Sequence, residues 1–251
     1  MMFGKKNGNF FSDGSQTLEQ SDPEFIDLFS KFAYGEVIEA QGANHPDLTD
    51  ARRSMAILAA LMGCQGVDAF SMMVPVALDS GVTPVQIKEI VYQGTAYLGF
   101  GRTLPFLKAA NEALHERGIA TPLAPQGTVT TETRESAGEE TQIRLFGEHM
   151  RGFAHTEPAE TMHIRQWLVD NCFGDYYTRG GLDDREREMI TACFIAAQGG
   201  CEPQLMGHIR GNLHVGNSKE FIIAFISQIM PYIGYPRTLN ALSCVDKVTK
   251  E

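Results

Sequence analysis

Apolar residues along this 251-residue chain recur every three to four positions, and the runs are punctuated by glycine, proline and short polar stretches. Over residues 23 to 37, Phe25, Ile26, Phe29, Phe32 and Ala33 fall on one face of a helix that reaches Gly35. The segment MHIRQWLVDNCFGDYY repeats this element later in the chain, with Gly174 in the place of Gly35. Two longer helices, Ala51 to Met62 and Arg185 to Ala197, are apolar along much of their length, and each runs into glycine. A further helix follows each of them and closes at Gly81 or Gly216. Thr83-Pro84-Val85-Gln86 then supplies an N-cap, a first-turn proline and a capping-box glutamine, and Ser218 is the later cap. The next helices, about residues 84 to 96 and 219 to 230, lead through a Tyr-x-Gly turn into last helices near 103 to 117 and 237 to 248. No stretch alternates as a strand does, so the pattern predicts an all-α protein.

The helices come in two sets because the sequence repeats at an offset of 135 residues. Tyr97, Gly99, Arg102, Thr103, Leu104 and Leu107 recur as Tyr232, Gly234, Arg237, Thr238, Leu239 and Leu242, and Arg52, Gly81 and Gln93 meet Arg187, Gly216 and Gln228. This is a tandem duplication. It predicts a loose arm over 1–22, a first unit over 23–118, a linker over 119–142 rich in Thr, Pro, Gly, Ser and Glu, and a second unit over 143–251. Two modest cores are expected in preference to one large one.

Composition narrows the class. A net charge of -10 without a basic block speaks against nucleic acid and anionic membranes as partners. The longest apolar stretches, MAILAALM and FIIAFISQIM, are too short to span a bilayer, and the first residues show no signal-length apolar run. A soluble, cytoplasmic protein is expected. Cys64, Cys172, Cys193, Cys201 and Cys244 are an odd set without CxxC spacing, which suits reduced thiols. Glu112 with His115 and Glu160 with His163 have the spacing of di-iron helical bundles, but they are not equivalent between the copies and the further glutamates are not evident. No metal and no cofactor is expected.

The stretches FGDYYTRGGLDDREREMITACFIAAQGG, QLMGHIRGNLHVGNSKEFI and YIGYPRTLNAL resemble, in order and spacing, the carboxymuconolactone decarboxylase family. That family belongs to the same superfamily as the alkylhydroperoxidase D-like thiol peroxidases. The second copy matches from Gly174 to Leu242 and the first more weakly from Gly81 to Leu107, as in tandem-repeat members. The resemblance implies small all-α units commonly assembled as trimers or hexamers, so that a homo-oligomer, a trimer forming a six-unit ring, is expected here. It also implies a small-molecule substrate, either an organic acid or lactone that loses carbon dioxide, or a peroxide.

The two copies disagree where chemistry would sit. Glu188, Cys201, Gln204 and His208 stand, at the repeat offset, opposite Arg53, Gly66, Ala69 and Met73. The second copy is therefore expected to carry the catalytic residues. Gln204 and His208 would share a helical face, with Gln204 fixing the imidazole's tautomer and Glu188 holding the ring or sharing its proton. Cys201, just before Glu202-Pro203, falls at a helix start, where N–H groups favour a thiolate. Thiol-peroxidase relatives carry two cysteines, seven and four residues before the histidine; here Cys201 keeps the first position and Gln204 occupies the second. Decarboxylase relatives carry Glu-Leu-x-x-His, and here Gln204 stands for that glutamate. Plainer roles are open to each residue: a structural histidine, an inert small thiol, and a glutamate paired with Arg185 or Arg187. Tyr97 and Tyr232, shared by both copies, read as anchors of the turn, and the shared Arg102 and Arg237 as a repeated helix-capping or interface pair. The function stays divided between cofactor-free acid/base chemistry, a thiol-dependent peroxidase using Cys201, and a non-catalytic binding or assembly protein.

Overall fold

The computed structural model describes residues 18–250, and every regular element in them is helical. Of the arm expected over 1–22, only residues 18–22 are described, and Leu18–Ser21 forms one helical turn; residues 1–17 lie outside the described residues. The first copy then supplies α1 (Pro23–Lys31), α2 (Asp50–Gly63), α3 (Val67–Asp79), α4 (Pro84–Leu98) and α5 (Phe100–Glu116). A connecting helix, α6 (Arg134–Phe146), precedes the second set: α7 (Met162–Trp167), α8 (Asp184–Gln198), α9 (Glu202–His214), α10 (Lys219–Ile233) and α11 (Tyr235–Val248). Both α1 and α7 run on into turns wound wider than an α-helix, Phe32–Glu36 and Leu168–Tyr176, which contain Gly35 and Gly174. None of the described helices is long and apolar enough to cross a membrane.

The local punctuation is as expected. Thr83 and Gln86 close a reciprocal capping box, Ser218 accepts from the Phe221 N–H, and Gly81, Gly99, Gly216 and Gly234 all take positive φ. The linker differs. Residues 134 onward are helical, and the buried positions of α6 are Gly138, Thr141, Gln142 and Leu145. Only one of the four is a large apolar residue, so no hydrophobic period announces this helix. Its docking rests on close backbone approach: a Cβ on Gly138 would overlap the Val169 carbonyl oxygen, and one on Gly174 the Arg134 carbonyl oxygen.

The two expected cores are one. Helices α2 and α8 pack along each other at the centre, and most buried apolar residues of both copies form one cluster across them, with a smaller cluster of Leu145, Cys172, Phe173 and Tyr177 beside it. From Arg53 to Gly63 and from Arg187 to Ala197 every residue is buried, so these helices are enclosed on all sides. The remaining helices interleave. α4 packs on α8 of the other copy and α10 on α2, while the wide turn after α7 lies on α4 and the segments that follow α1 lie on α10. Each copy thus finishes its packing with the first helical element of its counterpart.

At the centre, a Cβ on Gly63 would come within 2.5 Å of the Phe194 carbonyl oxygen and 2.7 Å of Ala197 Cβ. Neither neighbour can rotate away. Gly63→Ala is therefore expected to lower stability by about 1–3 kcal/mol. Gly101→Ala, in a helix with nothing within 4 Å of the added carbon, should be neutral or stabilising by about 0.5–1 kcal/mol. Urea unfolding of the two variants checks this, and equal midpoints would contradict the packing.

Candidate active site

Helix α8 begins at a capping box made by Asp183 and Glu186, and one turn on it places Glu188 at 0% exposure. A buried carboxylate must be met by donors. His208 Nδ1 on α9 lies 2.9 Å from Glu188 Oε2, and the Tyr177 hydroxyl donates to Oε1 at 3.0 Å. Asn212, one turn after His208, donates its amide to the backbone oxygens of Glu188 and His208 at 2.9 and 2.8 Å, which holds α9 in register on α8. Gly211 makes room between them: a Cβ there would overlap Glu188 Oε2 and approach Phe146 Cε1 to 2.7 Å.

The polar groups continue into the first copy. Tyr177 OH lies 2.8 Å from Thr191 Oγ1 and 2.9 Å from the Tyr97 hydroxyl. Gln93 donates to Thr191 Oγ1 at 2.8 Å and accepts from Arg187 Nη1 at 2.6 Å. Burial, reinforced by the charge of Glu188, raises the pKa of Tyr97 and Tyr177 well above the usual phenol value, so both remain hydroxyls. The same two causes, with burial the larger, push the Cys172 thiol up to about 12. Edge-on rings of Tyr97 and Phe146, with centroids 5.3 and 5.5 Å away, flank the His208 imidazole. Its Nδ1 is committed to Glu188, and no described residue hydrogen-bonds Nε2. The side chain is 11% exposed. Such a site can hold an imidazole in one tautomer and offer its second nitrogen to a reactant.

Of the four residues expected together, the structure joins Glu188 and His208. Gln204 is exposed and does not orient the ring; Glu188, facing His208 from the neighbouring helix, takes that place. Cys201 is the residue preceding α9, half-buried, and its Sγ accepts from Gln198 Nε2 at 3.1 Å. Seven residues of helix separate it from His208, about 10 Å of axial rise. Arg102 donates to Gln198 and Arg237 lies against Gly199, so both shared arginines gather at the end of α8.

The offset between copies also needs correction. The helix caps Thr49 and Asp183 are 134 positions apart, and the Arg187–Gln93 bond has its counterpart in Arg53 Nε donating to Gln228 Oε1 at 3.1 Å. Arg53 therefore matches Arg187, and Ser54 takes the place of Glu188. Helix α8 is one residue longer than α2, which restores the offset of 135 by the next helix. In the first copy Ser54 bonds Ser80 and Met73 is fully buried, so a serine pair and a methionine stand where the second copy has Glu188 and His208.

Sequence reasoning passed over Tyr177, Thr191, Asn212 and Phe146, and read Tyr97 as a turn anchor. Tyr177 stands in the stretch that carries the family resemblance, which was the available signal. Phe146 and Tyr97 carried none, because their contacts with His208 arise from the connector and from the other copy.

The profile of the carboxymuconolactone decarboxylase family matches residues 23–112 and again 163–247. The chain belongs to this family and carries its unit twice. It is 27% identical over 105 residues to the 4-carboxymuconolactone decarboxylase of Acinetobacter baylyi, covering 42% of this chain and 75% of that protein. It is 33% identical over 85 residues to an uncharacterised 15.0 kDa protein of Paracoccus denitrificans, covering 34% of this chain and 63% of that one. A crystal structure from Burkholderia xenovorans, described as that of a gamma-carboxymuconolactone decarboxylase subunit, superposes with a TM-score of 0.50 at 21% identity, covering 93% of this chain and 89% of the other. That likeness extends the shared fold across both copies.

Burial raises the pKa of the Cys172, Cys193, Cys64 and Cys244 thiols. Iodoacetamide applied to the native protein at about pH 8 should therefore alkylate Cys172 and Cys193 last, well after the half-buried Cys201. Peptide mass spectrometry over time reads the order, and simultaneous labelling of Cys193 and Cys201 would contradict it.

Proposed function

We propose that this chain is a cofactor-free, carboxymuconolactone decarboxylase-like enzyme that acts on a small organic acid or lactone by general acid/base chemistry at His208. The observation that carries the reading is the 2.9 Å bond from His208 Nδ1 to the buried Glu188 carboxylate, with Nε2 left to a reactant. In the forward reaction the bond between the substrate carbon and its carboxylate breaks, carbon dioxide leaves, and the electron pair stays on the organic fragment as a conjugated enolate. The protonated imidazole delivers its Nε2 proton to carbon, and water returns a proton to the ring. Glu188 would stabilise the imidazolium before transfer and keep the Nδ1–H tautomer after it. Tyr177, held as a hydroxyl, supports the second carboxylate oxygen.

A second reading rests on Cys201. It stands half-buried at the start of α9 and its sulfur receives the Gln198 amide, which places a lone thiol where a small reactant can reach it. A peroxidase would use that sulfur, and its roughly 10 Å axial separation from His208 means that the two would not exchange a proton directly.

Turnover of 4-carboxymuconolactone and of an organic hydroperoxide with dithiothreitol tests both. His208→Ala should lower kcat on the lactone by about 10²-fold or more, Glu188→Gln should lower it in the same direction, and Cys201→Ser should leave it unchanged. Hydroperoxide turnover abolished by Cys201→Ser would favour the second reading, and activity indifferent to all three substitutions would reject both.

A further inference from the structure

A cavity of about 360 Å³ opens away from the Glu188–His208 pair, and neither of those residues lines it. Helices α4 and α5 form its floor, the connector segment Thr121–Gln126 straps across it, and Arg179 reaches in from the second copy. The strap is tied down where the Gly180 N–H donates to the Gln126 carbonyl at 3.0 Å.

Its charge is out of keeping with the chain as a whole. Glu89, at 1% exposure, is held by Arg179 Nε at 3.0 and 3.1 Å and by Arg187 Nη2 at 3.5 Å, two guanidiniums on one carboxylate. Beside them Lys88, 9% exposed, donates to Asn111 Oδ1 and has no carboxylate partner among the described residues. The Lys88 ammonium and the Arg179 guanidinium stand 5.6 and 5.1 Å from the centroid of the Tyr92 ring. Lys88 and Arg179 thus line the cavity with a single carboxylate, Glu89, which Arg187 also holds from behind, in a protein whose net charge is -10. Burial lowers the pKa of Lys88, and an anion beside the ammonium would offset that cost. The strap opposite is apolar, with Pro122, Leu123 and Pro125 facing the space.

The repeated fold does not require these side chains. At the offset that relates α4 to α10, Lys88, Glu89 and Tyr92 stand against Ile223, Ala224 and Ser227. The second copy builds no such cluster, and the connector has no second instance to strap it.

We propose that this cavity is a second binding site, taking a small organic carboxylate whose anionic head lies against Lys88 and Arg179 and whose apolar body lies between Tyr92 and the proline-rich strap. The cations select the charge, and the ring and prolines select against a bare inorganic anion. The size suits a molecule of roughly ten non-hydrogen atoms.

Isothermal titration calorimetry on the full chain tests the site with benzoate, with benzamide as its uncharged counterpart and inorganic phosphate as the anion without a body. Benzoate should bind, and benzamide and phosphate should each bind at least about tenfold more weakly. Lys88→Met keeps the stem and removes the charge, and should weaken benzoate at least about tenfold, whereas His208→Ala should leave benzoate binding intact. Tyr92→Leu, with the cations untouched, provides a second variant should the first unfold, and it should also weaken benzoate. No heat with benzoate, equal binding of benzamide or of phosphate, or unchanged affinity in a folded variant of Lys88 or Tyr92 would each overturn the proposal. Loss of benzoate binding in His208→Ala alone would assign the anion to the acid/base site and overturn it as well.

Discussion

Helices α2 and α8 can lie as close as they do because they meet through glycine and alanine. The Gly63 backbone sits where a side chain would strike Phe194 O and Ala197, and Ala56, Ala59, Ala60, Ala192 and Ala196 are buried along the same two helices. That contact merges what would otherwise be two small cores, and larger burial per residue is what a chain of this length gains from merging. It also sets how the rest must pack. With the central helices in contact, α4 and α10 each lie across the other copy, and the segments that follow α1 and α7 pack on α10 and α4 in turn.

The Glu188–His208 pair depends on this interleaving. A carboxylate at zero exposure loses its hydration, and the cost is tolerable only when donors surround it. Glu188 receives its direct donors from α9 and from Tyr177, but Tyr177 is itself held by Tyr97 and Thr191, and Thr191 by Gln93. Tyr97 and Gln93 belong to the first copy. The chain of bonds continues through Arg187 to Glu89 and Arg179, so one buried polar path joins the histidine to the cationic cavity. Groups linked in this way are positioned collectively, and removal of one leaves its neighbours unsatisfied.

Much of this was legible in the sequence where the signal was local. Caps, positive-φ glycines and the helical period are written in adjacent residues, and the family resemblance was carried by the stretch from Gly174 to Leu242. The singling-out of Glu188 and His208 rested on comparing the copies, and the structure joins them. What was not legible depends on tertiary approach. Helix α6 docks through Gly138, Thr141 and Gln142 and so has no apolar stripe to announce it. Gln204 shares α9 with His208, yet a carboxylate facing the ring from another helix reaches Nδ1 instead. The one-residue phase difference within α2 and α8 is hidden because both helices are apolar along much of their length, and only their caps and the Arg–Gln bonds reveal it.

The covalent joining of the two copies has a consequence for how they can change. In a pair of separate identical chains, any substitution appears on both sides of the symmetry axis, so an acid at one central position brings a second acid with it. Here Ser54 and Glu188 occupy matching places, as do Met73 and His208, and each can vary without its counterpart. Joined in one chain, the halves need not match: the second keeps the buried Glu188–His208 centre that the first helps to support, and the first carries the Lys88 and Tyr92 cluster that the second lacks.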